Sequence, residues 1–113
     1  MRRLTPLLSL LLLAGCSHSA EQDRRHQAKA LIASHCAACH RVPGLAVATG
    51  RVGPSLAHIG SQQIIAGYFA NSPSLLAQWI EHPQQLLPGN AMPEMGLTPD
   101  EASIIVEFLY TLE

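Results

Sequence analysis

Two cysteines three positions apart, followed at once by a histidine, stand at Cys36-Ala37-Ala38-Cys39-His40, and no other segment limits the chain so narrowly. Thiols at this spacing can each form a thioether to a vinyl group of one haem, and the adjacent imidazole then lies under the iron. This is the attachment signature of c-type haem. Two other chemistries use the same residue types. A redox dithiol is expected beside a βαβ pattern, which the chain lacks. A zinc site would take Cys36, Cys39 and His40 with either His35 or His58, but the second pair of cysteines or spaced histidines that such sites usually show is missing.

The N-terminus reads as an export address. Met1-Arg2-Arg3 is a charged start, and Leu7 to Leu13 is an apolar run broken only by Ser9. The run falls well short of the ~20 residues that span a bilayer. It ends in Leu13-Ala14-Gly15-Cys16, which has the form of a bacterial lipobox, with cleavage before a cysteine that carries lipid on its sulfur. Residues 1–15 are accordingly expected to be a lipoprotein-type signal peptide, 16–22 a short tether, and 23–113 one domain. Extended, the tether would span at most ~20 Å and keep the domain near the membrane surface.

From Cys16 onward there are 98 residues, enough for one domain, with five basic side chains against eight acidic ones. The resulting formal charge of −3 argues against nucleic acid as a partner. Only five aromatic residues are present in the whole chain, so the protein core is thin for its length. A large apolar cofactor would fill it.

Residues 21–35 contain no proline or glycine, and Ala28, Leu31, Ile32 and His35 recur at helical spacing, which predicts a first helix. Residues 41–60 hold Pro43, Gly44, Gly50, Gly53, Pro54 and Gly60 and read as a loop that wraps something, with a short helical turn expected around 61–66. Ser72-Pro73 predicts an N-cap and first position for a helix carrying Leu75, Leu76, Trp79 and Ile80, ended by Pro83. Residues 83–97 read as a second ordered loop, carrying Met92 and Met95. Thr98-Pro99-Asp100-Glu101 has the pattern of a capping box, and Ala102, Ile105, Val106 and Leu109 predict a final helix. No segment alternates long enough for a sheet, so the expected fold is all-α, three to four helices around one cofactor.

The chain from about Ala28 to Glu113 resembles class I cytochromes c, through Cys36-Ala37-Ala38-Cys39-His40, Gly53-Pro54-Ser55-Leu56 and Asn90-Ala91-Met92-Pro93. More narrowly, Arg51 to His58, Trp79-Ile80-Glu81-His82-Pro83 and Pro88 to Pro93 are similar to the cytochrome c domain fused to subunit II of some haem-copper oxidases, here as a stand-alone lipoprotein. The resemblance implies one haem c held through Cys36 and Cys39, with His40 and Met92 as iron ligands. It also implies that the Pro54 carbonyl accepts a hydrogen bond from the second ring nitrogen of His40, fixing its orientation. Met95 competes with Met92 for the sixth position and is read as a core or haem-edge residue. Trp79, Tyr68 and Arg51 are candidates to hydrogen-bond the haem propionates. His18, His26, His35, His58 and His82 are read as surface or loop residues.

On this reading the chain is a single-electron carrier of a respiratory chain that makes or breaks no substrate bond and binds no small-molecule substrate or nucleic acid. It is expected outside the cytoplasmic membrane, lipid-anchored through Cys16, with its haem domain facing the periplasm or cell exterior. The expected partners are membrane-bound oxidoreductases such as a terminal oxidase. The rival readings are an electron-transfer subunit of a periplasmic dehydrogenase complex and a haem-based ligand sensor. Lys29 is the only lysine, so steering by a ring of lysines toward acidic partners is not supported.

Overall fold

In a computed structural model, the structure describes residues 7–113, with side chains from Cys16 onward. Residues 1–6, which include the charged start of the expected export signal, lie outside the described residues. Helix α1 (Leu7–His35) is followed by a long loop, a small hairpin of β1 (Ile64–Ile65) and β2 (Phe69–Ala70), then α2 (Pro73–Glu81), the single turn α3 (Pro83–Leu86) and α4 (Pro99–Leu109).

The first helix is longer than its expected span of 21–35. No proline interrupts the chain between Pro6 and Pro43, and Gly15 alone weakens it, so the backbone stays helical through the segment read as a tether. Residues 16–22 therefore rise about 1.5 Å each instead of extending fully. The molecule measures 74 × 27 × 25 Å, and its radius of gyration of 18.3 Å exceeds the about 13 Å of a compact chain this long. Among the described residues no helix is long and apolar enough to cross a membrane.

Helix α1 packs against α4 over Ala28 and Ile32, both buried, which meet a core containing Ala102, Ile105, Phe108 and Leu109. At the rim of this packing Arg24 and Glu107 form a two-pronged ion pair at 2.6 and 3.0 Å, and Arg25 and Lys29 lie 5.8 and 6.0 Å from the Phe108 ring centre. The expected start of α4 is present in full: Thr98 Oγ1 accepts from the Glu101 N–H at 3.2 Å, and Glu101 Oε2 accepts from the Thr98 N–H at 2.9 Å. Ser72 caps α2 in the same manner, accepting from Leu75 N–H at 3.1 Å. That helix also packs on α4, through Leu76 and Ile80.

Two local expectations need correcting. Residues 61–66 do not make a helical turn; they lead into an antiparallel hairpin pairing Ile65 with Phe69 and Ile64 with Ala70. Its turn needs two left-handed residues, supplied by Ala66 (φ 52°) and Gly67 (φ 77°). The stretch 83–97 is not loop throughout, because Pro83 sits at the first position of the helical turn α3 instead of excluding one. Among the described residues the fold remains mostly helical, with two strands of two residues each.

Candidate functional site

The Cys36–His40 segment forms a tight turn at the end of α1. The backbone N–H groups of Cys39 and His40 both donate to the Cys36 carbonyl, at 3.1 and 2.9 Å, which holds both thiols and the imidazole on one short arc. Both cysteines are half-buried and unbridged. Burial, and secondarily the charge of Cys39, pushes the Cys36 thiol up to about 11. Reactive dithiols need the opposite shift, so the redox-dithiol reading loses support. Among the described residues no three His, Cys, Asp or Glu side chains gather as a metal site, so His35 and His58 do not complete a zinc tetrahedron.

The glycine- and proline-rich loop is fastened onto this turn. Gly50 N–H donates to the Ala37 carbonyl, Gly53 N–H to the Cys39 carbonyl and Leu56 N–H to the Arg41 carbonyl, at 3.2, 2.8 and 2.9 Å. A Cβ on Gly53 would lie 2.7 Å from His40 Nδ1, so the loop can approach the ring only without a side chain there. The approach brings the Pro54 carbonyl oxygen 2.6 Å from His40 Nδ1. Since a carbonyl only accepts, Nδ1 carries the proton, and in the neutral ring Nε2 keeps its lone pair.

Met92 is half-buried against the main core, as is Met95. The Met92 N–H donates to Asn90 Oδ1 at 2.7 Å, an Asx turn, while Asn90 Nδ2 donates to the carbonyls of Pro83 and Leu87 at 3.0 and 2.7 Å. Gln84 Nε2 donates to the carbonyls of Asn90 and Met92, both at 2.8 Å. Neither Asn90 nor Gln84 was assigned a role from the sequence. The Asx pattern at Asn90 could have been read from a short polar residue two places before Met92; nothing in the spacing announces Gln84.

The remaining candidates lie apart in character. Trp79 is half-buried on α2 with its ring 6.0 Å from that of Phe69, which in turn is 6.4 Å from Tyr68. Tyr68 sits at the hairpin turn, 74% exposed, and Arg51 is exposed on the loop before Gly53. His18, His26, His58 and His82 are exposed and His35 is half-buried; His82 stands 3.4 Å from Glu94. Cys16 is exposed on the projecting part of α1. The donor set suits a haem: two free thiols on one turn, an imidazole oriented through Nδ1, and a core to which Cys36, Leu56, Phe69, Trp79, Met92 and Met95 add partly exposed apolar surface.

The family model for cytochrome c matches residues 26–113, which takes in the cysteine turn, both ordered loops and the final helix. The chain belongs to the cytochrome c family. Membership brings covalent haem c and haem-based electron transfer to this chain. The cytochrome is also 33% identical over 79 residues to cytochrome c oxidase subunit 2 of Alkalihalophilus pseudofirmus, an alignment covering 69% of this chain and 22% of that protein. It thus corresponds to about a fifth of the oxidase subunit's length.

Proposed function

We propose that this cytochrome is a single-electron carrier of a respiratory chain, with one haem c bound through Cys36 and Cys39 and with His40 and Met92 as the iron ligands. The observation that carries the reading is the 2.6 Å contact between His40 Nδ1 and the Pro54 carbonyl. It commits one ring nitrogen to the protein and leaves Nε2 as the donor for iron, with the ring's direction set by a loop that itself hydrogen-bonds the cysteine turn. Met92, with its backbone fixed by Asn90, supplies the second donor. When bound, the haem supplies a one-electron couple. A histidine and methionine pair raises its potential relative to two histidines and leaves no position open for a substrate, so the chain is a carrier and not an enzyme. Among the described residues the side chains of Trp79, Tyr68 and Arg51 have no hydrogen-bond partner, and each can donate to a propionate.

The proposed setting is outside the cytoplasmic membrane. Export by residues 1–15 and lipid on Cys16 would anchor the cytochrome to a bacterial membrane, its haem domain facing the periplasm or cell exterior. Similarity to an oxidase subunit supports membrane-bound oxidoreductases such as a terminal oxidase as its partners. With Lys29 the only lysine, docking there would not depend on lysine steering.

Carbon monoxide tests the carrier reading. Reduced cytochrome should titrate as a single one-electron couple and should not bind carbon monoxide without denaturant. Ready binding would favour a ligand sensor, and co-purification with a catalytic subunit would favour a dehydrogenase complex.

A further inference from the structure

Gln84 lies on the single turn α3, eight residues before Met92, and its side chain spans the methionine loop. Besides the two bonds from Nε2 to the Asn90 and Met92 carbonyls at 2.8 Å, Oε1 accepts from the Gly89 N–H at 3.0 Å. Its own backbone N–H donates to Glu94 Oε1, again at 3.0 Å. The loop from Gly89 to Glu94 therefore closes on one residue. Glutamine suits this place because its amide offers two donors and an acceptor together; a carboxylate would face two carbonyl oxygens, and alanine would strand all three backbone groups. The next residue, Gln85, is exposed and has no side-chain hydrogen bond among the described residues.

We propose that Gln84 is a positioning residue for the Met92 thioether: by bonding the carbonyl of Met92 itself, it restricts the loop to the arrangement in which the sulfur stays on iron. The inference rests on Met92 being the sixth ligand. A neutral thioether is a modest donor, so the fraction of molecules with the sulfur detached depends on how many other arrangements the loop can reach. An external ligand binds that fraction, and its apparent affinity rises in proportion to it.

The test is a titration of the exported, haem-loaded ferric proteins with imidazole, read together with the weak far-red band of sulfur-ligated ferric haem and with the thermal midpoint. Gln84→Ala should raise the apparent imidazole association constant by about tenfold or more and weaken the band. Gln84→Glu, nearly isosteric but without the two donors, should do the same, and it decides the matter if the alanine variant yields no haem-loaded protein. Gln85→Ala should match the wild type. A lowered thermal midpoint with imidazole affinity and band unchanged would overturn the proposal, leaving Gln84 a stabilising residue only. Met92→Ala separates the two readings: if it keeps the band, the ligand assignment beneath the proposal is wrong; if it loses the band while both Gln84 variants behave as wild type, the fault lies with Gln84.

Discussion

A methyl group at Gly53 would meet the His40 ring, and that contact makes this glycine the sharpest single-residue probe of the site. Gly53→Ala must push the ring or the loop aside and so break the His40–Pro54 hydrogen bond, at a cost of about 1–3 kcal/mol for overpacking. The variant should show a lowered thermal midpoint and a reduced yield of covalent haem; an unchanged yield and midpoint would mean the loop can yield without disturbing the imidazole. The two methionines separate on chemistry. Met92→Ala should remove the far-red band and let reduced iron take carbon monoxide, whereas Met95→Leu conserves volume and should cost less than about 1.5 kcal/mol with the band retained. Loss of the band in the Met95 variant alone would reverse the ligand assignment. At this scale the resemblance already implies both partners of the His40–Pro54 contact. It could not give Gln84, whose hydrogen bonds run to backbone carbonyls six and eight residues away and leave no trace in residue spacing.

Among the elements, those with chemical punctuation were legible. Ser72-Pro73 and Thr98-Pro99-Asp100-Glu101 place a cap, a proline and, for the second, a reciprocal carboxylate where a helix start needs them, and α2 and α4 begin at those residues. Thr98→Ala removes one half of the capping box and should destabilise the protein by about 1 kcal/mol, visible as a shifted midpoint in thermal unfolding with the haem spectrum unchanged. The hairpin escaped because strands of two residues are too short to show an alternation of period two. The turn α3 escaped because Pro83, read as the end of α2, also serves as the start of the next helical turn. The loop 41–60 was recognisable from its glycines and prolines, but which of them approach the cysteine turn depends on tertiary contacts that composition does not encode.

Over the whole molecule, α1 carries one expected attachment point, Cys16, and ends immediately before the other, the Cys36–Cys39 pair. From Cys16 to Arg24, where α1 meets Glu107 of α4, the helix rises about 12 Å along its axis, so the proposed lipid anchor would hold the haem domain through a short stiff arm instead of a slack tether. Cys16→Ser should abolish labelling by a radioactive fatty acid; equal label on wild type and variant would remove the lipobox reading. The thin protein core sets a second expectation. Cys36→Ala combined with Cys39→Ala should leave a chain that cannot retain haem and that fails to accumulate, because the cofactor supplies much of the apolar interior. Attachment through those two thiols is the claim on which the ligand set, the carrier role and the Gln84 inference all depend. Its most direct test is a reduced-minus-oxidised spectrum of the exported protein after denaturing electrophoresis. The account predicts that haem c remains with the wild-type chain, one per polypeptide, and is absent from the double alanine variant; haem that leaves the wild-type chain under denaturation, or that stays with the variant, would contradict it.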